Sequence, residues 1–177
     1  MSRKRVVVTG MGMLTPVGNT MDETWSNIIA SKSGVANITH FDTEGFGTHF
    51  SAGVKDFDLS NYLPPKEGKK MDLFIQYGMA AGIQAIKDAN LEVTEENADR
   101  IGVAIGSGIG GLPLIEKCHD ALNKSGPRRI SPFFVPGSII NMISGNLSIM
   151  YGLRGPNIAI TTACTTGTHN IGASARM

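Results

Sequence analysis

Gly155-Pro-Asn-Ile-Ala-Ile-Thr-Thr-Ala-Cys164-Thr-Thr-Gly167-Thr-His-Asn-Ile-Gly172 is a short β-branched run that gives way, at a cysteine, to small helix-compatible residues. The pattern reads as strand, sharp turn, helix. Along residues 157–163, Ile158, Ile160 and Thr162 fall on one face and Ala159, Thr161 and Ala163 on the other. A cysteine at such a turn sits at a helix N-terminus, where unpaired N–H groups and the positive end of the helix dipole favour thiolate over thiol. The geometry is that of the serine nucleophile elbow with sulfur in place of oxygen, and Ala163 and Gly167 keep the turn free of bulk. Plain packing is the competing reading, because a free cysteine is among the most buried residue types.

Upstream, Ile139, Ile143, Leu147 and Met150 predict a helix from Ser138 to Tyr151, and Leu112, Ile115, Cys118 and Leu122 share one face of another. Ile101-Gly-Val-Ala-Ile-Gly106 alternates bulky and tiny side chains, a strand against which something must pack very closely. Between Asp72 and Asn90, Ile75, Met79, Ile83, Ile86 and Ala89 recur at helical spacing, with Asp72 placed to start the helix. Thr94 to Arg100 reads as a polar turn, and residues 37–63 as an irregular excursion over the surface. Near the start, Val6-Val7-Val8 predicts a buried strand ending at Gly10. Thr20-Met-Asp-Glu23 is a capping box that opens a helix with Trp25, Ile28 and Ile29 on one face and Gly34 at its end. Strands alternating with helices across glycine turns argue for an α/β layered fold with no linker to split it.

Hydrophobic residues make up 41% of the 177, enough for one domain core. Net charge is +1, which excludes a global field for nucleic acid or acidic membranes and leaves any anionic partner to a local patch. Arg3, Lys4 and Arg5 precede an apolar run too short for a secretory signal, and no run reaches transmembrane length, so no membrane insertion is expected. Two cysteines and histidines at 40, 49, 119 and 169 lack metal-ligand spacing, and adjacent Cys118 and His119 point different ways on a helix, so no metal site is expected. A reducing cytoplasm is the natural setting.

Gly106-Ser-Gly108-Ile-Gly-Gly111 matches the G-x-G-x-x-G turn of dinucleotide sites. Such a unit needs a second strand about 20 residues on, ending in an acid or in Arg for NADP. Arg128 and Arg129 lie near that distance, but Leu122-Asn-Lys-Ser-Gly-Pro127 before them is a turn, and Gly10-Met-Gly12 has Thr15 where its third glycine should be. An NADP-binding module is thus a remote alternative. Lys66, Lys69 and Lys70 form one basic cluster and Arg128 with Arg129 another, each beside a loop; their bland reading is solvated surface. Glu67 and Gly68 interrupt the first cluster. Cys118 falls on an apolar helical face and reads as packing. His169, five residues beyond Cys164, lies too far round the helix for direct thiol contact and is not assigned as a general base.

Thr162-Ala-Cys164-Thr-Thr-Gly167, preceded by Tyr151-Gly-Leu-Arg-Gly-Pro156, resembles the active-site segment of β-ketoacyl-[acyl carrier protein] synthases of the KAS II type, within the thiolase-like superfamily. Three further segments agree: Val6-Val-Val-Thr-Gly-Met-Gly-Met-Leu-Thr-Pro-Val-Gly18, Ala104-Ile-Gly-Ser-Gly-Ile-Gly-Gly111 and Ile130-Ser-Pro-Phe-Phe-Val-Pro136. The resemblance implies a thiolase-like layered fold, α-β-α-β-α in the complete family protein, of which residues 1–177 are an incomplete N-terminal part ending within the nucleophile helix. It implies that Cys164 takes an acyl group from a carrier-protein thioester, its own N–H helping to stabilise the oxyanion. Decarboxylative Claisen condensation with malonyl carrier protein would then follow, as in fatty acid biosynthesis. Ile109 would line the acyl pocket and Phe134 would reach the pocket from a partner subunit. Acidic acyl carrier protein would dock on Lys66, Lys69, Lys70, Arg128 and Arg129. No cofactor is implied, and the 157–163 strand would pair across a homodimer. The family's catalytic histidines and active-site lysine would follow Met177, so this chain alone is expected to be incomplete for turnover. A non-catalytic thiolase-like subunit, which needs no thiol, and a truncated product are the alternatives.

Overall fold

The computed structural model describes residues 5–177, so Arg3 and Lys4 lie outside the described residues. In chain order it comprises helix α1 (Met21–Ile29), hairpin strands β1 (Ala36–Asn37) and β2 (Phe50–Ser51), and helices α2 (Pro65–Gly68) and α3 (Leu73–Asp88). Strand β3 (Val103–Ala104), helices α4 (Leu112–Ser125), α5 (Phe134–Ser138) and α6 (Met142–Tyr151), strand β4 (Asn157–Ile158) and helix α7 (Thr166–Ser174) follow.

The spine is α3. Asp72 caps its start by accepting the Phe74 N–H at 3.4 Å. At the other end Asn90 takes a left-handed φ of 47°. The Leu91 N–H then reaches back to the Ile86 carbonyl (3.1 Å) and the Asn90 N–H to that of Lys87 (3.0 Å), a Schellman closure. The buried face carries Ile75, Met79 and Ile83 against Ile143 and Leu147 of α6, with Leu63 completing the cluster. Two glycines let the helices approach. A Cβ on Gly78 would sit 2.5 Å from Ile143 Cδ1, and one on Gly82 would collide with Leu147, so Gly78 and Gly82, one turn apart, are the holes that receive Ile143 and Leu147.

Helix α6 in turn carries the strand pair. β3 and β4 run parallel with Val103 opposite Asn157 and Ala104 opposite Ile158. Ser144, fully buried, accepts the Ile105 N–H at 2.9 Å, and its one proton faces the carbonyls of Ile158 (2.9 Å) and Ile105 (3.0 Å). Asn157 Nδ2 donates to the Ser144 carbonyl at 3.1 Å. Arg154 ties the approaches to both strands, donating from Nε to Asp99 (2.7 Å), from Nη1 to Glu95 (2.9 Å) and from its backbone N–H to the Ala98 carbonyl (2.9 Å). The close packing expected along 101–106 is against the 155–160 segment: a Cβ on Gly102 would lie 2.6 Å from the Pro156 oxygen, and one on Gly106 would overlap the Ile160 carbonyl.

Four expectations are corrected. Val6, Val7 and Val8 are not a buried strand; they are 62%, 70% and 79% exposed and unladdered among the described residues. The chain instead lies along α3, with the Met11 N–H on Asp88 (2.8 Å), the Met13 N–H on Gln84 (3.1 Å) and Gly10 and Gly12 flush against the helix backbone. Helix α1 ends before Gly34. Ser31 takes a φ of 55°, with Lys32 N–H to Asn27 O and Ser31 N–H to Ile28 O both 2.9 Å, and Gly34 is free to pack where a Cβ would lie 2.6 Å from that of Pro16. The helix expected over 138–151 is two helices. The Ser138 carbonyl is taken by the Gly111 N–H (2.9 Å), Ile139 is extended (ψ 143°), and α6 starts at Met142. The strands expected over 101–106 and 157–163 pair over only two residues each, because beyond them the backbone of Ile105 is taken by the Ser144 hydroxyl and that of Ile160 by the Asn170 amide.

The capping box forms in a shifted version: the Glu23 N–H donates to Thr20 Oγ1 (3.2 Å), while the Glu23 carboxylate accepts the N–H of Asn19 (2.8 Å) rather than that of Thr20. Trp25, Ile28 and Ile29 share a face of α1 that is uncovered among the described residues.

Candidate active site

Cys164 lies in a single 3-10 turn, Ala163–Thr165, between the end of the β4 segment and α7, and it is exposed. The chain reverses at Ala163, whose φ of 51° is left-handed. For a residue with a Cβ that conformation costs about 1–2 kcal/mol, so the surroundings must hold it. They do so from both sides. The Thr162 N–H donates to Thr166 Oγ1 (3.0 Å), and the Thr162 carbonyl accepts from both the Thr165 N–H (3.1 Å) and its hydroxyl (2.7 Å). His169 Nδ1 lies 2.7 Å from Thr162 Oγ1, so this histidine is engaged with the turn. Asn170, 3% exposed, accepts the Ile160 N–H (3.1 Å) and donates to the carbonyls of Ile160 (2.9 Å) and Thr166 (2.8 Å). The space beside Gly167 is open, with no atom within 4 Å of where a Cβ would be. Cys118, by contrast, is 6% exposed on α4, as its helical face predicts.

The glycine-rich loop 106–111 docks onto this turn. A Cβ on Gly108 would be 3.4 Å from the Ala163 oxygen, one on Gly110 would be 2.8 Å from the Ser138 oxygen, and one on Gly111 would be 2.7 Å from Ser138 Cα. Ile109, 76% exposed, therefore stands between the cysteine turn and α5, the short helix that begins with Phe134, itself half-buried. These contacts overturn the dinucleotide alternative. All three motif glycines are spent on contacts within the chain. The N-terminus of α4, where a phosphate would bind, is already met by a carboxylate, since Asp72 Oδ2 accepts the Leu114 N–H at 2.7 Å.

The two basic clusters are brought together around α5. Lys70 Nζ sits 5.9 Å from the centre of the Phe133 ring, the Asp72 N–H donates to the Gly137 carbonyl (3.0 Å), and Arg128 and Arg129 occupy the turn leading into Ser131 to Phe134. Lys66, Lys69, Arg128 and Arg129 are exposed, whereas Lys70 is half-buried and paired with Glu67 at 2.7 Å. The interruption at Glu67 thus pairs off the charge of Lys70 at the edge of the patch. No group of three or more potential metal ligands occurs among the described residues, and no helix there is long and apolar enough to cross a membrane.

The family model for the β-ketoacyl synthase N-terminal domain matches residues 3–177. This chain belongs to the β-ketoacyl synthase family. Within that family it is 67% identical over its whole length to 3-oxoacyl-[acyl-carrier-protein] synthase 2 of Vibrio cholerae and 56% identical to the protein of the same name from Coxiella burnetii. It spans 43% of the length of each. Among solved structures, a β-ketoacyl synthase from Burkholderia phymatum matches 97% of this chain and 43% of its own at a TM-score of 0.81 and 26% identity. A type II polyketide ketosynthase, solved with its acyl carrier protein and bound to a hexaketide, matches 98% of this chain and 46% of its own at a TM-score of 0.79 and 28% identity. The fold is therefore the thiolase-like fold of ketosynthases, as the resemblance implies.

Ser144, Thr166 and Asn170, the polar side chains that hold this segment in shape, are not among the residues that the sequence motifs single out. One signal was available for two of them. Thr166 and Asn170 are poor helix formers four residues apart on α7, so they share a face and require a reason to be there.

Proposed function

We propose that the protein to which this chain belongs is a 3-oxoacyl-[acyl carrier protein] synthase of fatty acid biosynthesis, with residues 1–177 as the N-terminal part of its ketosynthase domain. The observation that carries the proposal is Cys164, exposed on a braced strand-turn-helix elbow while Cys118 is buried. In this reading the Cys164 sulfur attacks the carbonyl carbon of an acyl carrier thioester. A C–S bond forms, the carbonyl electron pair moves to oxygen, and the Cys164 N–H helps to stabilise the resulting oxyanion. The pair returns, the carrier thiolate leaves with the proton, and the acyl group stays on Cys164. Malonyl carrier protein then loses carbon dioxide, its carbanion attacks the acyl carbonyl, and the Cys164 thiolate departs. The resemblance assigns the two histidines that drive decarboxylation, and an active-site lysine, to the remaining length of the relatives.

Ile109 is assigned to the acyl-pocket wall, which fits its place beside the cysteine turn, and Phe134 to a neighbouring pocket in a homodimer. Pairing of the 157–163 strand with a second copy belongs to the same homodimer reading. The exposed Lys66, Lys69, Arg128 and Arg129, with Lys70 at their margin, are assigned to docking of the acidic carrier in a cytoplasmic setting. A non-catalytic subunit would have no use for a thiol held in this way. The test is condensation by the full-length protein supplied with acyl and malonyl carrier proteins. Parental protein should form the β-ketoacyl product and Cys164→Ala should not. Full product formation by Cys164→Ala would refute the assignment.

A further inference from the structure

Asn170 lies six residues beyond Cys164, and its side chain is directed away from solvent at 3% exposure. Its amide treats Ile160 as one strand treats another, accepting the Ile160 N–H (3.1 Å) and donating to the Ile160 carbonyl (2.9 Å). The same Nδ2 donates to the Thr166 carbonyl at 2.8 Å. Thr166, buried at 6%, is the first residue of α7 and accepts the Thr162 N–H at 3.0 Å. Two side chains on one helical face thus grip the strand at Ile160 and Thr162 and span the Thr161–Thr165 elbow. Beyond Ile158, opposite Ala104, β3 supplies no further ladder partner, so at Ile160 the amide stands in for the missing peptide group. Gly106 has to be glycine here because a Cβ would overlap the Ile160 carbonyl and lie 3.0 Å from Asn170 Nδ2.

We infer that Asn170 and Thr166 are positioning residues for the Cys164 nucleophile, holding the left-handed Ala163 turn so that the Cys164 thiol and N–H keep one fixed placement relative to an incoming thioester. The inference rests on Cys164 being the acylated residue. A misplacement of about 1 Å at a reacting group costs on the order of 10²-fold in rate, so loosening either grip should slow acylation without weakening binding of the acyl carrier.

Asn170→Asp keeps the shape and the Ile160 N–H acceptor but turns an oxygen toward the Ile160 and Thr166 carbonyls. Thr166→Val is isosteric and loses only the acceptor for Thr162. Glu96→Gln, an exposed charged position on the polar turn before β3, is the control. In the full-length protein, acylation of Cys164 by excess acyl carrier protein is followed by quench and intact mass, with folded fraction set by circular dichroism and carrier affinity by calorimetry. The expected result is an acylation rate lowered about 10-fold to 100-fold in both variants, with carrier affinity within twofold of parental and the control unchanged. Parental-like acylation in either folded variant overturns the inference, as does a parallel loss of carrier affinity, and failure of both to fold would assign the pair to folding instead. Parental protein that is not acylated on Cys164 would overturn the proposed function itself, a distinct result.

Discussion

Gly106→Ala should disturb the Cys164 elbow through Ile160 and Asn170, the residues against which Gly106 packs. The new Cβ would overlap the Ile160 carbonyl and sit 3.1 Å from its carbon and 3.0 Å from Asn170 Nδ2. Neither neighbour can turn aside. One is backbone at the base of the elbow, and the other makes three hydrogen bonds. To restore ordinary contact the 160–164 segment must retreat by about 1 Å, which lowers acylation of Cys164 by on the order of 10²-fold, alongside an overpacking cost of about 1–3 kcal/mol in stability. Gly145→Ala on α6 is the contrast: its Cβ would meet only Met142, at an ordinary 3.6 Å, and helix propensity should stabilise the protein by roughly 0.5–1 kcal/mol. Denaturant unfolding gives the stability arm, and timed acylation followed by intact mass gives the rate. A folded Gly106→Ala protein that acylates at the parental rate would refute the reasoning that the elbow is held through Ile160.

Other consequences are separable. Ser144→Ala leaves the part-buried Ile105 N–H without its acceptor, so unfolding free energy should fall by about 0.5–1.5 kcal/mol; an unchanged urea midpoint would mean that the strand pair does not depend on this hydroxyl. Asp72→Asn weakens a carboxylate that serves the N-termini of both α3 and α4, with an expected loss of about 0.5–2 kcal/mol read as a lower thermal midpoint. Charge reversal at Lys66, Lys69, Arg128 and Arg129 should weaken binding of acyl carrier protein and flatten its salt dependence, whereas reversal of Lys70, already paired with Glu67, should matter less. Calorimetry at two ionic strengths would return these residues to ordinary surface if neither quantity changed.

The elements legible in the sequence are those fixed by local chemistry. Thr20 and Asp72 announce helix starts because a side-chain oxygen must reach an N–H two or three residues on, and both do so. The strand-turn-helix around Cys164 was legible because β-branched residues give way to small ones at a single point. Glycines misled where the reason for them is tertiary. Gly34 reads as a helix stop, but Ser31 makes the left-handed turn, and Gly34 serves contact with Pro16. Gly78 and Gly82 weaken α3 locally in order to admit Ile143 and Leu147, a pairing visible only across the helix interface. Val6 to Val8 have the composition of a buried strand, yet a strand needs a neighbour and they have none among the described residues; only the stretch after them, from Gly10 to Met13, lies along α3. Asn170 escaped for the same reason: an amide substituting for a ladder partner has meaning only once the end of β3 is known.

The central claim is that Cys164 and not Cys118 carries the acyl group. Mixing the full-length protein with acyl carrier protein, quenching, and mapping the peptides by mass spectrometry tests it directly. The account predicts an acyl adduct on the peptide containing Cys164 and an unmodified Cys118, which is 6% exposed on α4. An adduct on Cys118, or stoichiometric acylation that persists in Cys164→Ala, would contradict it.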